Sequence, residues 1–406
     1  MVWRDILTDE KKDEEVLRMR VPHDSHKMAP SRRASGALPV QVIRHEVIAP
    51  NVITLFLAQP GTTHAPGPYL PGQFITLVIP GPDGEIYRSY SLCGNSHPYA
   101  PLEITLKRIP GGVVSNYLYD HVKVGMILHI LPPRGTFTLP TSLRPEQTFV
   151  FVAVGSGITP ISGFLRTIAA LPSGSRPNVQ LHYASRSPQE TIYRTELLQL
   201  EWLYQKHYLK TEGIRMTPRQ ILANASPLSR DAQWYICGPE AFNLQLRDTL
   251  VSMGVPHNFI HVETFVDQSR RQRADGASRA VVGQITIQET GAILDVRAQE
   301  TLLEALERQG YQPEFSCRAG MCGTCQLHVL RGQVHNPGDT FLTAAERRNG
   351  TVLACLAQPQ GNVVIETGGI PPRGTSAGTR TATRRRATQK YRLRLTAAVL
   401  TALLTA

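Results

Sequence analysis

Cysteine is scarce in this chain, with six in 406 residues. That is too sparse for a disulfide scaffold. Long apolar runs are missing as well. The apolar end, Leu395–Ala406, is twelve residues long, short of the roughly 20 a membrane-spanning helix needs. The opening residues, Met1 to Lys12, lack the apolar stretch of a secretory signal, so a soluble body in the cytoplasm is expected. Basic residues exceed acidic ones by 43 to 32, yet eight of that surplus lie in Ile370–Ala406, which has no acid. The body is therefore nearly neutral, which excludes a nucleic-acid-binding surface built into the fold. No internal repeat is present. Cys-x-His pairs and Glu-x-x-His spacings are absent too, which leaves no haem, Rieske or di-iron signature.

What is present is enough apolar residue, 41%, to build sizeable cores, and enough length for two to four domains. Residues 1–36 mix eight basic with seven acidic side chains and show no sustained period. They read as a disordered extension. Residues 37–143 carry six short β-like runs (Val40–Val47, Val52–Leu57, Gln73–Ile79, Ile86–Leu92, Leu102–Arg108 and Met126–Leu131) and one short helix near Gly112–Val122. Such a pattern, broken by Pro-Gly and Asp-Gly turns, predicts a small antiparallel barrel.

Residues 144–267 change character. The continuous apolar run Thr148–Val154 predicts a buried parallel strand. It is followed by a helical segment to Ala170, a strand Val179–Tyr183, a helix Thr195–Tyr204, a strand Gln233–Ile236 and a helix Glu240–Met253. That alternation predicts a doubly wound α/β domain. Residues 268–280 are polar and turn-rich, as in a linker. Residues 281–369 show a hairpin pattern, then a helix near Thr301–Gln309, and a last strand at Asn362–Glu366. Residues 370–406 read as a basic disordered tail.

The strongest chemical signal is Cys317-Arg-Ala-Gly-Met-Cys322-Gly-Thr-Cys325, with Cys355 thirty residues further on. This C-x4-C-x2-C…C spacing is that of plant-type [2Fe–2S] ligands. A four-cysteine zinc site would usually pair two short knuckles; a single knuckle with a distant fourth cysteine points to iron–sulfur. Gly320 and Gly323 allow the positive φ that so tight a loop needs.

Three further constellations concern nucleotides. Arg88-Ser89-Tyr90-Ser91 ends a barrel strand and places Arg88 and Tyr90 on one face. A cation, a flat ring and a hydroxyl suit a flavin, although such a tetrapeptide also occurs on ordinary surface strands. Gly111-Gly112-Val113-Val114-Ser115 opens the short helix, and helix N-termini bind phosphate. Gly155-Ser156-Gly157-Ile158-Thr159-Pro160 follows the buried strand. With Thr159 read as the N-cap and Pro160 as the first helical residue, a pyrophosphate would sit there. Pro160 breaks the full Gly-x-Gly-x-x-Gly fingerprint, and a purely structural turn is the competing reading. Cys237-Gly238-Pro239 ends a second strand at the same sheet edge. Taken alone, Cys237 and Cys93 read as core residues. Ser185 and Arg186 follow a strand where an adenosine would be recognised, and Arg186 suits either a 2′-phosphate or the adenine face.

In this order the motifs resemble the ferredoxin–NADP reductase superfamily, specifically oxygenase reductases with a C-terminal plant-type [2Fe–2S] ferredoxin domain. The similarity is to reductase components of the kind that serve 3-ketosteroid 9α-hydroxylase and phenylacetyl-CoA epoxidase. Ile86–Leu92, Ser115–Leu118, Leu131–Phe137 and Phe315–Cys322 carry it, over roughly residues 38–367. The resemblance implies an FAD barrel, an NAD(P)-binding α/β domain and a β-grasp ferredoxin domain. It favours FAD over FMN through Pro133-x-Gly135-x-Phe137 and Gly111-Gly112-x-x-Ser115. It also implies that Arg88 binds the pyrophosphate, Tyr90 stacks on the ring and Ser91 reaches N5. Thr159 would lie near the nicotinamide, Cys237 beside its C4 carbon, and Phe265 near the flavin.

The expected activity is electron transfer from NAD(P)H through FAD and [2Fe–2S] to a separate oxygenase or hydroxylase. A nicotinamide gives two electrons as hydride and the cluster accepts one, so a flavin belongs between them. Residues 283–367 hold nine acids and six bases, a surface suited to a basic acceptor. Alternative readings are an electron donor to a membrane desaturase or hybrid-cluster protein, and a metal-binding interaction module with a degenerate reductase. The polybasic tail with its apolar end fits an anionic membrane surface, but a plain extension is the simpler reading and membrane contact is not expected.

Overall fold

The computed structural model describes residues 37–368 apart from 82–83, 98, 225–231, 266–279, 312, 316–317, 319, 321–322, 337–341 and 343. The expectations for 1–36, for most of the linker, for the tail, and for Cys317 and Cys322 fall outside the described residues.

The first module is one antiparallel sheet: β1 (Leu38–Ala49), β2 (Val52–Ala58), β3 (Phe74–Gly81), β4 (Gly84–Ser91), β5 (Leu102–Lys107) and β6 (Ile127–Arg134). Its order is β4-β3-β6-β1-β2-β5. A single bridge, Leu92 to Ile104, joins the two ends and closes the barrel. Inward residues such as Val40, Val42, Ile53, Leu55, Ile75, Leu77, Ile104 and Ile130 fill it and are fully buried or nearly so. Alternation of inward and outward side chains makes that possible. The helix Val113–His121 packs Val114 and Leu118 into this core.

The second module is a five-stranded parallel sheet ordered β11-β10-β7-β8-β9: β7 (Thr148–Val154), β8 (Asn178–Ser185), β9 (Tyr204–Leu209), β10 (Gln233–Gly238) and β11 (Ile260–Thr264). Alternate residues of β7 face opposite layers. Phe149 and Phe151 meet the helix Ile158–Ala169, while Val150 and Val152 meet Leu246 and Leu250 of the helix Glu240–Ser252. Burial on both faces explains the unbroken apolar run. Strand order reverses between β7 and β10, which is where doubly wound sheets bind ligands.

Two expectations need correction here. The helix expected over Thr195–Tyr204 is only Arg194–Leu198; the chain then turns so that Leu203 packs into the core, and β9 begins at Tyr204. Thr159 is not an N-cap either. The helix starts at Ile158 after a 3-10 turn over Gly155–Gly157, and Gly157 takes the cap position.

The third module is a mixed sheet ordered β13-β12-β18-β14-β16: β12 (Val281–Ile287), β13 (Ile293–Arg297), β14 (Gln326–Arg331), β16 (Thr351–Leu353) and β18 (Val363–Glu366), with a small ribbon of β15 (Val334–His335) and β17 (Gln358–Pro359). β12 runs parallel to β18 and antiparallel to β13. The helix Leu302–Arg308 lies across the sheet, burying Leu302, Leu303, Ala305 and Leu306. Thr301 starts it with a capping box: Glu304 N–H donates to Thr301 Oγ1, and the Glu304 carboxylate accepts from Thr301 N–H at 2.9 Å. A grasp-like sheet packed on the helix Leu302–Arg308 is the expected architecture. Among the described residues no helix is long and apolar enough to cross a membrane.

Candidate active site and cluster loop

Three strand ends converge at the switch point. Ser91 ends β4, Cys237 lies next to the end of β10, and Glu263 lies next to the end of β11. Ser91 Oγ donates to Glu263 Oε2 at 3.2 Å, and Cys237 Sγ lies 4.0 Å from the same oxygen. All three are buried. Burial pushes the Glu263 carboxyl up to about 8, against the opposing pull of the Ser91 hydrogen bond. Glu263 is therefore largely a neutral acid at pH 7. Burial, reinforced by Glu263, raises the Cys237 thiol well above its ordinary range, so Cys237 stays an S–H group rather than a thiolate nucleophile.

The loop after β7 closes on the same place. A Cβ at Gly157 would stand 2.1 Å from the Cys237 carbonyl oxygen, so only glycine lets the two loops touch. Gly155 is left-handed at φ 58. Thr159 is buried and its hydroxyl donates to the Ser156 carbonyl at 2.9 Å, which stiffens the turn. Asn243 fixes the far side: Nδ2 lies within 3.0 Å of the carbonyls of Gly238 and Glu263 and of Thr264 Oγ1. Pro239 precedes the helix Glu240–Ser252 as its N-cap. Phe265 follows β11 and is 40% exposed.

On the barrel side, Arg88 Nη1 donates to the Tyr87 carbonyl at 2.8 Å. Burial raises the Tyr90 phenol, which stays neutral. Ser89 points the other way, its hydroxyl 2.9 Å from Thr76 Oγ1 on the neighbouring strand. Gly112 caps the helix Val113–His121; a Cβ there would come within 2.6 Å of Ser115 Oγ, which itself accepts from Ile109 N–H at 3.2 Å. Val113, at the first helical position, is exposed. Beyond β8, Ser185 Oγ lies 2.7 Å from Thr191 Oγ1, and the Arg186 side chain is 70% exposed with Glu190 at 3.5 Å.

In the third module, Cys325 and Cys355 are both buried at 4% exposure, and Ala354 N–H donates to the Cys325 carbonyl at 2.8 Å. Arg318, Gly320 and Gly323 all have positive φ. A Cβ at Gly320 would strike Leu356, the neighbour of Cys355, at 2.2 Å. Gly320 is thus held close against the neighbour of Cys355, and Cys325 and Cys355, the two described cysteines of the motif, offer thiols of the kind a [2Fe–2S] centre takes.

Glu263 and Asn243 were not singled out in the sequence. The one available signal for Glu263 was an acid inside the strand-like His261-Val-Glu-Thr-Phe265; nothing local marks Asn243.

Comparison with known proteins agrees module by module. Family models match an oxidoreductase FAD-binding domain at residues 39–139, an oxidoreductase NAD-binding domain at 151–248 and a 2Fe-2S iron-sulfur cluster binding domain at 285–360. The chain therefore belongs to the family of oxygenase reductase components, NAD(P)H oxidoreductases that unite FAD, NAD and 2Fe-2S modules. It is 32% identical to the ferredoxin reductase component of 3-ketosteroid-9-alpha-monooxygenase from Mycobacterium tuberculosis, over 74% of this chain and 85% of that protein. It is 26% identical to a polypeptide of the 1,2-phenylacetyl-CoA epoxidase of Escherichia coli, over 78% and 93%. Among solved structures, phthalate dioxygenase reductase shares the fold at a TM-score of 0.59 and 24% identity, covering 82% of this chain and 98% of that one.

Proposed function

We propose that this chain takes electrons from NAD(P)H through FAD and a [2Fe–2S] cluster and delivers them to a separate oxygenase or hydroxylase. The meeting of Ser91, Cys237 and Glu263 in one buried cluster carries the reading: it joins the flavin-type strand to the nucleotide edge at the switch point. Arg88 is assigned to the flavin phosphates, with Gly112, Val113 and Ser115 presenting a helix N-terminus to them; Tyr90 covers the ring and Ser89 holds β4 to β3. Gly155, Gly157 and Thr159 shape the turn that receives the pyridine nucleotide, Cys237, Gly238 and Pro239 line its reactive end, and Ser185 and Arg186 its adenosine end. Phe265 stands beside the flavin. Cys317, Cys322, Cys325 and Cys355 are the cluster ligands.

Bound flavin supplies the change from two-electron to one-electron chemistry. The chain's own part is placement and proton control. Ser91, Thr159 and Cys237 shut water out of the reacting edge. Glu263 holds a proton at neutral pH, and Ser91 Oγ, 3.2 Å from Oε2, can pass its own hydroxyl proton toward the barrel side while taking the Glu263 proton in its place.

The test is composition followed by stopped-flow reduction. A single FAD and a single [2Fe–2S] per chain are expected, with flavin bleaching by NAD(P)H preceding cluster reduction. Acid-released FMN, or a cluster reduced while the flavin stays oxidised, would overturn the assignment.

A further inference from the structure

The barrel touches the cysteine-bearing module through a small group of side chains next to the flavin strand. On β4, Tyr87 precedes Arg88 and faces the opposite side. Its ring packs with Val78 and Leu131, and Phe315 of the third module joins that cluster. The Tyr87 and Phe315 rings meet edge to face, with centroids 5.1 Å apart at 87°. Arg318 stacks over both: its guanidinium carbon is 3.9 Å from the Phe315 centroid and 4.8 Å from that of Tyr87. The Arg318 guanidinium also bonds Glu307 of the helix Leu302–Arg308, and Tyr87 Oη donates to Glu85 at 2.5 Å.

Two features show that Arg318 is held here at a cost. Its φ is 52, a left-handed conformation that disfavours any residue but glycine. Among the described residues its buried Nε has no hydrogen-bond partner. A residue needed only to turn the loop would be glycine, as Gly320 and Gly323 are. What arginine adds at this position is the stack on two rings, one from each module.

We propose that Tyr87, Phe315 and Arg318 form a latch that docks the cluster-bearing module on the flavin strand, making the three positioning residues for the flavin-to-cluster electron step. The proposal rests on the reductase reading above. In that step the flavin loses one electron and the cluster gains one; no bond forms or breaks between the modules, so the rate depends on how closely they are held. The latch also abuts the flavin side directly, because the Tyr87 carbonyl is the acceptor for Arg88 Nη1.

The test uses holoprotein and stopped-flow traces that separate flavin bleaching from cluster reduction, with cofactor content measured in every sample. In Tyr87→Ala the flavin phase is expected to keep its rate while the cluster phase slows about tenfold, through loss of an aromatic pair and a cation–π contact. Tyr87→Phe, which keeps the ring, is expected to restore the cluster phase. Amide exchange in the peptide carrying Phe315 is expected to accelerate in Tyr87→Ala and not in Tyr87→Phe. If Tyr87→Ala loses FAD, Phe315→Ala decides from the other module. A wild-type cluster phase in a fully loaded alanine variant overturns the latch, and so does equal slowing in Tyr87→Phe. Failure of NAD(P)H to bleach the wild-type flavin would instead sink the reductase reading.

Discussion

The barrel has two neighbours and is joined to them in opposite ways. Its junction with the nucleotide module is a continuous core: Val52, Cys93, Phe137 and Leu139 from the barrel side pack with Phe149, Phe151, Ile161, Phe164 and Tyr193. Polar bonds run through it. Arg166 reaches Glu103 and the Cys93 carbonyl on one side and Glu196 on the other, at 2.7 to 2.9 Å. Tyr193 Oη donates to Thr105 at 2.6 Å, and Lys107 pairs with Glu190 at 2.8 Å. Among the described residues, the junction with the cysteine-bearing module centres on the Tyr87–Phe315–Arg318 stack. Hydride transfer demands near-contact between reacting atoms, so flavin and nicotinamide need one rigid frame. Electron transfer tolerates a gap, so a lighter junction suffices for the cluster.

Breaking the lighter side is expected to give the largest effect. Cys355→Ser removes a proposed cluster ligand, so the iron–sulfur absorption should vanish while NAD(P)H still bleaches the flavin. A flavin that no longer bleaches would show that the modules are not separable. Next comes the rigid junction. Arg166→Ala strands the partly buried carboxylates of Glu103 and Glu196, and removing one partner of such a network typically costs about 3 kcal/mol. The denaturation midpoint should fall accordingly, with the flavin phase slowed; an unchanged midpoint would mean that the apolar core alone holds the junction.

A more gradual effect, smaller per pH unit, should come from pH. The folded Glu263 carboxyl is raised to about 8, so the folded state binds its proton more tightly than the unfolded chain. Its contribution to stability is then fully present below the ordinary carboxylate range and is lost as pH rises through about 8. That loss is at most about 1.4 kcal/mol per pH unit within the window. Glu263→Gln should flatten this part of the pH profile of urea denaturation; the same slope in both proteins would assign the titration elsewhere. The smallest change, Thr301→Ala, removes the capping box and should cost about 1 kcal/mol. It should loosen amide protection in the third module and leave the flavin phase untouched.

Much of the frame was readable because it is local. The barrel strands are short β-like runs set off by Pro-Gly and Asp-Gly turns, β7 is an apolar run, and three of the four cysteines sit within nine residues. The left-handed Gly320 and Gly323 followed from the tightness of that loop. Tyr204–Leu209 escaped because β9 is an edge strand with a half-polar pattern, and Leu197, Leu200 and Leu203 just before it imitate helical spacing. The helix start at Ile158 was missed by a residue or two because the preceding 3-10 turn has no side-chain cap to mark it. Glu263 is harder still: its partner Ser91 lies 172 residues away, and only the fold brings them together.

The single bridge that closes the barrel has a bearing on the order of synthesis. Leu92 and Ile104 form the seam, and the adjacent Cys93 carbonyl is gripped by Ser162 and Arg166, both on the helix Ile158–Ala169. A ribosome delivers the barrel strands first, yet the groups that clamp the seam emerge only afterwards. The nascent barrel is thus expected to wait, ajar at Leu92, until the second module supplies its clasp. A chain ending at Pro140 should accordingly show rapid amide exchange at Leu92 and Cys93, which the full chain protects.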